Sequence, residues 1–190
     1  PKLYSKDPSI IQPMSSLISR FRSSKKEYIH FALIKYAVPY IQVTANELTI
    51  TQKWLYSGLD SDDWRINDFA LDSINGLLNG VNTLDSLLND QLYQKVCSML
   101  TSRIFRIRCR AAIIIVSYAQ KYGWDFVREK IMPVLKHIVS TSTLPILQTI
   151  IRAYVGLDAL KPPKDIHKKL KKRISSMNME DVYIINHLSH

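Results

Sequence analysis

The chain contains few of the residues that mark several protein classes. Its 190 residues include only five glycines, eight prolines and two cysteines, Cys97 and Cys109. This composition excludes collagen-like and low-complexity disordered chains, and two cysteines are too few for a disulfide framework. We interpret both as buried or unreactive thiols in a reducing compartment. No run approaches about 18 uncharged apolar residues, and no signal-peptide pattern is present, so we expect no membrane span.

Enzyme motifs are also lacking. The glycines are too dispersed for a phosphate-binding loop or a Gly-x-Ser-x-Gly elbow. The acidic run at 60–63 lacks the glycine of a calcium loop, and Leu71 stands where the bidentate glutamate would be. His187 and His190 lie one helical turn apart, without a cysteine or carboxylate cluster. We therefore predict a protein without catalytic activity, metal or cofactor.

Charge is distributed in blocks along the chain. The net charge is +10, with balances of +5, −5, +6 and +4 over residues 1–42, 43–100, 101–160 and 161–190. An acidic block between basic ones does not favour uniform coating of nucleic acid. The pattern better suits an elongated molecule whose segments meet different surfaces.

Apolar residues recur at steps of three and four, which predicts amphipathic helices. The pattern is clear over 64–81, 126–139 and 144–157, and the acidic run at 60–63 precedes the first of these helices as a cap. On β-propensity alone the run at 111–116 fits a buried strand. However, a helical period crosses it and no second strand is available, so we predict an inner helix and an all-α chain.

The helices repeat at intervals near forty residues. One apolar position, the anchor, recurs at spacings of 37, 41, 39 and 38 residues, with another apolar residue four positions later. Pro13 and Pro133, each preceded by an isoleucine two positions earlier, lie 120 residues apart. Two helices per unit at this period are typical of HEAT repeats. The anchors are Ile29, Ile66, Ile107, Ile146 and Ile184.

The sequence thus predicts a right-handed α-solenoid of about five HEAT-type hairpins in a single array over 1–190. The predicted repeats are 8–42, 46–81, 85–122, 124–160 and 163–189. First helices are expected near 8–22, 46–59, 85–101, 124–139 and 163–175. Second helices are expected near 27–42, 64–81, 104–122, 144–160 and 179–189. Because the chain begins at Pro1 without a polar capping helix, we expect further repeats upstream.

Candidate partner-binding residues stand at the start of the second helices. Two positions before successive anchors are Trp64, Phe105, Leu144 and Val182. Aromatic and arginine side chains dominate protein interfaces. The alternative is that these apolar side chains fold back over their own turn, and we prefer it for Leu144 and Val182. The candidate residues are Trp64, Arg65, Phe105, Arg106 and Leu144.

A second candidate surface is the basic segment near the C-terminal end of the sequence. Ile166, Leu170 and Ile174 give it one apolar stripe. The simpler interpretation is a solvated outer helix. The alternative is an electrostatic contact with nucleic acid, phospholipid or an acidic protein, although no aromatic residues are interleaved for base stacking. The basic candidates are Lys164, Lys168, Lys169, Lys171, Lys172 and Arg173.

The stretch over about 45–160 resembles the scaffold (A) subunits of type 2A protein phosphatases. The resemblance rests on the sequence at 63–65, on 102–112 with its hydrophobic-Arg-x-x-Ala-Ala pattern, and on Tyr122-Gly123 leading to the Ile-Met-Pro at 131–133. In that family the turns within repeats hold the catalytic subunit, and the positions matching Trp64, Arg65 and Phe105 are among the contacts. The next repeat departs, because Leu144 and Leu147 replace the family's Tyr and Arg.

We therefore expect a non-catalytic scaffold that binds proteins along its intra-repeat turns. The resemblance implies a Ser/Thr phosphatase catalytic subunit as the partner, in a hetero-oligomer of the cytoplasm or nucleus. Two alternatives stay open from the residues themselves. One is a basic nucleic-acid-binding HEAT protein of the DNA-glycosylase type, which the acidic residues around Trp64 oppose. The other is a transport or trafficking adaptor.

Overall fold

Every element of regular structure in the described residues is a helix. The computed structural model describes residues 24, 26–36, 45–80, 88–142 and 144–176, with the backbone alone at 36, 45–47, 144 and 176. The prediction of an all-α chain is confirmed over these ranges. The helices are α1 (Glu27–Tyr36), α2 (Ala45–Leu59), α3 (Trp64–Leu78), α4 (Asp90–Met99), α5 (Phe105–Phe126), α6 (Met132–Thr141), α7 (Leu144–Ala159) and α8 (Lys164–Ser176), with a π-helical stretch at Val127–Ile131.

Hydrophobic periodicity located four of these eight helices closely. The bounds of α2, α3, α7 and α8 lie within three residues of those predicted. The run at 111–116 is helical, as the helical period across it indicated. The predicted helices at 8–22 and 179–189, and with them Pro13, Val182 and Ile184, lie outside the described residues.

Helix α4 begins later than the predicted start at residue 85. Residues 88 and 89 are not helical. The side-chain oxygen of Asn89 accepts the Leu92 N–H at 2.9 Å and so caps the first turn. The same oxygen accepts the Tyr56 hydroxyl at 2.9 Å, which ties the cap to α2. The predicted start of this helix was wrong because hydrophobic periodicity carries no information about a side-chain cap.

Gly123 separates the helices predicted over 104–122 and 124–139, and a π-helical stretch interrupts the second of them. Gly123 has φ 80° and ψ −172°, a conformation open essentially to glycine alone, so α5 breaks there. The stretch Val127–Ile131 is π-helical, and the Met132 N–H donates to the Val127 carbonyl. Pro133 in the first turn of α6 has no N–H and crowds the carbonyl four residues earlier. The wider π turn just before Pro133 accommodates this crowding.

The chain divides into two compact units, residues 1–96 and 97–190. In the first unit α1 packs against α3, and α2 packs against both. Contact there is close: a Cβ on Gly58 would lie 2.4 Å from the Phe31 ring. The Ser73 hydroxyl of α3 donates to the Phe31 carbonyl of α1 at 2.8 Å. Fully buried residues include Ile34, Leu55, Ala70, Leu71, Ile74 and Leu77.

In the second unit α5 packs against α7, which also contacts α6 and α8. The apolar stripe of α8 is directed inward, with Ile166 and Leu170 buried. Helices α5, α6 and α8 therefore share a core with α7. The fully buried residues of this core include Ile107, Ala111, Ile114, Tyr118, Leu135, Ile150, Tyr154 and Leu157.

The packing in each unit pairs helices predicted as second members of successive repeats, α1 with α3 and α5 with α7. Of the anchors, Ile107 is fully buried, whereas Ile29, Ile66 and Ile146 are half-buried. Four residues after the last three described anchors, the side chains are fully buried; these are Ala70, Ala111 and Ile150. The arrangement of repeats along the chain stays a prediction.

Candidate functional site

The turn before α3 presents the predicted pair Trp64 and Arg65. Asp63 caps the helix, because its carboxylate accepts the Arg65 N–H at 2.9 Å. The Arg65 guanidinium carbon lies 5.3 Å from the centroid of the Trp64 ring, within cation–π range. Trp64 is half-buried and Arg65 is exposed. The sequence-predicted pair is thus brought together at the surface of the first unit.

A buried amide holds this turn from inside. The Asn67 side chain donates to the carbonyls of Gly58 at 2.8 Å, Leu59 at 3.2 Å and Ser61 at 2.9 Å. These carbonyls belong to the end of α2 and the residues after it, where a helix runs out of its own N–H donors. The Gly58 carbonyl also accepts the Ser61 N–H, at 3.4 Å. The start of α3, with Trp64 on it, is therefore fixed to the end of α2.

The second unit presents Phe105 at the first position of α5. Its side chain is 49% exposed. The guanidinium carbons of Arg108 and Arg152 each lie 5.5 Å from its ring centroid. Phe105, Arg108 and Arg152 are called the Phe105 cluster below. Two cations beside one exposed aromatic ring combine the side-chain types that dominate protein interfaces.

Arg108 is the fixed member of the Phe105 cluster. It is only 6% exposed. Its Nη1 donates to the carbonyls of Ser102 at 2.8 Å and Arg103 at 3.2 Å, and its Nε donates to the Thr149 hydroxyl at 3.3 Å. All three acceptors are neutral, so three of the five guanidinium N–H groups are bonded while the charge has no carboxylate partner among the described residues. Arg108 thereby connects the turn before α5 to α7.

Arg152 reaches the cluster from α7. Its Nη1 lies 3.5 Å from the sulfur of Cys109. Burial raises the pKa of the Cys109 thiol, and this outweighs the lowering caused by Arg152 and Arg108. The thiol is therefore neutral at pH 7, and no carboxylate of the described residues pairs with Arg152. In the described part of the chain, the positive charge of Arg152 faces a thiol and an aromatic ring.

A groove continues from Arg152 between α5 and α7. It has a volume of about 300 Å³ and is called the α5–α7 groove below. Ile113 on its wall is 53% exposed, a large fraction for an isoleucine. A Cβ on Gly156 would lie 2.7 Å from Val116, so the two helices approach closely at this point. The residues that line this groove include Cys109, Ile113, Val116, Arg152 and Gly156.

The basic candidates lie on α8. Lys164, Lys168, Lys169, Lys171 and Lys172 are exposed, and Arg173 is half-buried. Asp165 interrupts the positive surface, because its carboxylate accepts from Arg128 at 3.2 Å. The Arg128 guanidinium lowers the pKa of Asp165. The helix therefore offers a cationic outer surface.

The structure separates the sequence-predicted residues by unit. Trp64 and Arg65 form a pair in the first unit, whereas Phe105 and the exposed Arg106 begin α5 in the second. Leu144 begins α7, but its side chain lies outside the described atoms. The sequence analysis missed the roles of Arg108 and Arg152. One signal was available: Ile113 and Arg152 each stand six residues after an anchor.

Within the described ranges no three His, Cys, Asp or Glu side chains are grouped so as to hold a metal ion. In the same ranges no helix is long and apolar enough to cross a membrane. No protein-family model, curated protein or solved structure matches the chain.

Proposed function

We propose that this chain is a non-catalytic scaffold that binds a partner protein through the Phe105 cluster. The observation that carries the proposal is the half-exposed Phe105 ring with two guanidinium carbons 5.5 Å from its centroid. A phenyl ring exposed to water gains free energy when a partner covers it. Arg152 beside the ring adds planar hydrogen-bond donors for carboxylates or backbone oxygens of that partner.

The rigidity of the cluster favours binding. Arg108 is held by three hydrogen bonds, to Ser102, Arg103 and Thr149. A side chain that is already ordered loses little conformational entropy when a partner binds. The ring of Phe105 rotates about only two side-chain bonds. The cluster therefore presents a defined surface before any partner arrives.

The proposed architecture is the HEAT solenoid predicted from the anchors. The pairing of α1 with α3 and of α5 with α7 supports it within each unit, because neighbouring repeats pack their equivalent helices together. In such an array each repeat contacts mainly its neighbours, so the scaffold flexes and brings clients together.

The partner proposed from the sequence resemblance is the catalytic subunit of a Ser/Thr protein phosphatase, in a hetero-oligomer of the cytoplasm or nucleus. The family's contact positions correspond to Trp64, Arg65 and Phe105. In each unit these residues occupy the first turn of a helix, and Arg65 and Phe105 are exposed. This placement gives a partner access to them.

The experiment is a pull-down from cell lysate with wild type, Phe105→Ala and Phe69→Ala, read by mass spectrometry. Phe69 is the matched control, since it is 47% exposed on α3 of the first unit. We expect wild type and Phe69→Ala to retain a phosphatase catalytic subunit and Phe105→Ala to lose it. Equal retention by all three proteins contradicts the proposed site.

The exposed lysines of α8 support nucleic acid as a second candidate partner, and the same preparations test it. A fluorescein-labelled DNA duplex is titrated with wild type and with a Lys168→Gln/Lys172→Gln double variant at low and physiological salt. Binding that is lost with salt and weakened in the double variant indicates backbone electrostatics. Such binding, without recovery of a phosphatase subunit, overturns the scaffold proposal.

A further inference from the structure

The two units contain equivalent grooves with different charge. In the first unit a groove of about 190 Å³ lies between α1 and α3 and is lined by Lys35 and Asp72, among others. The Lys35 ammonium donates to the Asp72 carboxylate at 2.6 Å. Lys35 stands six residues after the anchor Ile29, and Asp72 stands six residues after Ile66. The cation in this groove is thus neutralised within the chain.

In the second unit the same two positions hold Ile113 and Arg152. They stand six residues after the anchors Ile107 and Ile146, and both line the α5–α7 groove. Isoleucine stands at the position of Lys35, so the residue opposite Arg152 in this pair carries no charge. Among the described residues its neighbours are the neutral Cys109 thiol and the Phe105 ring. No carboxylate within the described ranges compensates the positive charge of Arg152.

The α5–α7 groove therefore combines one uncompensated guanidinium with apolar walls. A guanidinium binds a carboxylate through two parallel hydrogen bonds. Ile113 and Val116 provide apolar surface for an aliphatic side chain, and Ile113 is more than half exposed. A volume of about 300 Å³ is at the lower end for ligand sites, which suits a short peptide segment.

We propose that the α5–α7 groove binds a short acidic segment of the partner protein. A carboxylate of that segment pairs with Arg152, as Asp72 pairs with Lys35 in the first unit. An aliphatic side chain next to that carboxylate covers Ile113. The inference rests on the proposed scaffold function and names the chemistry of the partner that the groove selects. Charge complementarity supports an acidic occupant, since residues 101–160 carry a balance of +6.

The first test measures binding of a short fluorescein-labelled peptide in which glutamate and leucine alternate, by fluorescence anisotropy. Arg152→Gln should raise the dissociation constant about tenfold or more, because it removes a charge-assisted hydrogen-bond pair. Arg103→Gln is the control, since it removes the same charge from an exposed residue outside the groove. Peptides of alternating lysine and leucine, or glutamate and serine, should bind weakly to wild type.

The second test supplies Arg152 with a carboxylate from the chain itself. Ile113→Asp places a carboxylate across the groove from Arg152, at the position that corresponds to Lys35 in the first unit. There it can pair with Arg152 and exclude the peptide. Val155→Asp adds the same charge at an exposed position of α7 outside the groove lining. We expect Ile113→Asp to abolish peptide binding and Val155→Asp to retain it. Thermal melts followed by circular dichroism confirm that each variant is folded.

Several outcomes overturn the inference. One is that Arg152→Gln and Arg103→Gln weaken binding of the glutamate–leucine peptide equally, which indicates general charge attraction. Another is that Ile113→Asp and Val155→Asp reduce peptide binding equally, which indicates the same. Self-association of wild type that Arg152→Gln abolishes assigns the groove to a second copy of the chain.

The inference and the scaffold proposal fail separately. If the pull-down depends on Phe105 but the glutamate–leucine peptide does not bind, the scaffold proposal stands without the groove. If the peptide binds through Arg152 but no phosphatase subunit is recovered, the groove stands and the phosphatase partner does not.

Discussion

The Asn67 side-chain amide donates a hydrogen bond to the Gly58 carbonyl at 2.8 Å, and so fastens the start of α3 to the end of α2. Arg108 has the corresponding role in the second unit, where it donates to the Ser102 carbonyl at 2.8 Å before α5. Each residue directly follows an anchor, Ile66 or Ile107. Different side chains at one register position thus satisfy the carbonyls of the preceding turn.

Removing the Asn67 amide should destabilise the first unit. Asn67→Ala leaves the Gly58, Leu59 and Ser61 carbonyls without this donor, and we expect a loss of about 1–3 kcal/mol in the free energy of unfolding. Urea denaturation measures the loss. Asn79→Ala is the control, because the Asn79 side chain is exposed at the end of α3. Equal losses in the two variants contradict the assigned role of Asn67.

Replacing Arg108 should destabilise the second unit by a similar mechanism. Arg108→Met keeps an unbranched chain but removes the donors to Ser102, Arg103 and Thr149, which predicts a loss of about 1–3 kcal/mol. Arg103→Met, at an exposed position, should have little effect. Thermal melts of the three proteins make the comparison, and a melting temperature of Arg108→Met at or above that of wild type refutes the prediction.

The break in α5 should depend on glycine at 123. Nothing lies within 4 Å of a Cβ placed there, so a larger residue meets no steric obstacle from the surroundings. The backbone φ of 80° is the only cost, and Gly123→Ala should destabilise the chain by about 1–3 kcal/mol. Lys121→Ala, two residues earlier on regular helix, is the control. A stabilised Gly123→Ala protein shows that the chain does not need the break.

The pairing of α1 with α2 should weaken in mild acid. His30 stacks on Trp54 with ring centroids 4.0 Å apart, and its Nε2 has no hydrogen-bond partner among the described residues. Burial lowers the pKa of His30 below its ordinary 6.5, against smaller opposing effects of Ser24 and Glu27. Well above pH 6.5 the imidazole is neutral in both folded and unfolded chains. As the pH falls below that value, the unfolded chain takes up the proton first, so the folded state loses stability.

The measurement is urea denaturation of wild type and His30→Phe at pH 7.5 and pH 5.5. Wild type should lose more stability between the two pH values than His30→Phe, whose stacked ring does not titrate. Parallel losses in the two proteins indicate that other groups cause the pH dependence.

The thiol of Cys109 should report on Arg152. Burial raises the pKa of Cys109, while the nearby guanidinium lowers it. In a Cys97→Ser background, Arg152→Gln should therefore slow the reaction of Cys109 with iodoacetamide at pH 8, because less thiolate is present. Arg103→Gln should leave the rate unchanged. An unchanged rate in Arg152→Gln argues against the contact between Arg152 and Cys109.

Local sequence signals determine much of the fold. The 3.6-residue period located α3 and α7, and the acidic run at 60–63 marked the start of α3 through the Asp63 cap. The start of α4 was missed because Asn89 caps the helix within an otherwise periodic stretch. The π-helical stretch was missed because it is a backbone response to Pro133 that hydrophobic periodicity does not encode.

The candidate site was only half predictable. Trp64, Arg65, Phe105 and Arg106 were singled out because aromatic-arginine pairs stand at helix starts, and the structure places them there. Arg152 was missed because it reaches Phe105 through the packing of α7 on α5, across 47 positions of sequence. The position six residues after each anchor holds Lys35 and Asp72 in the first unit, and Ile113 and Arg152 in the second. Only the contacts show that Lys35 forms an ion pair with Asp72, whereas Arg152 lies against a thiol and an aromatic ring.

The most direct measurement of the central claim is an isothermal titration of a purified Ser/Thr phosphatase catalytic subunit into wild type, Phe105→Ala and Phe69→Ala. The scaffold account predicts that wild type and Phe69→Ala bind with the same dissociation constant, and that Phe105→Ala raises it at least about tenfold, as loss of an interface hot spot does. Equal affinity of all three proteins, or no binding to wild type, contradicts the account.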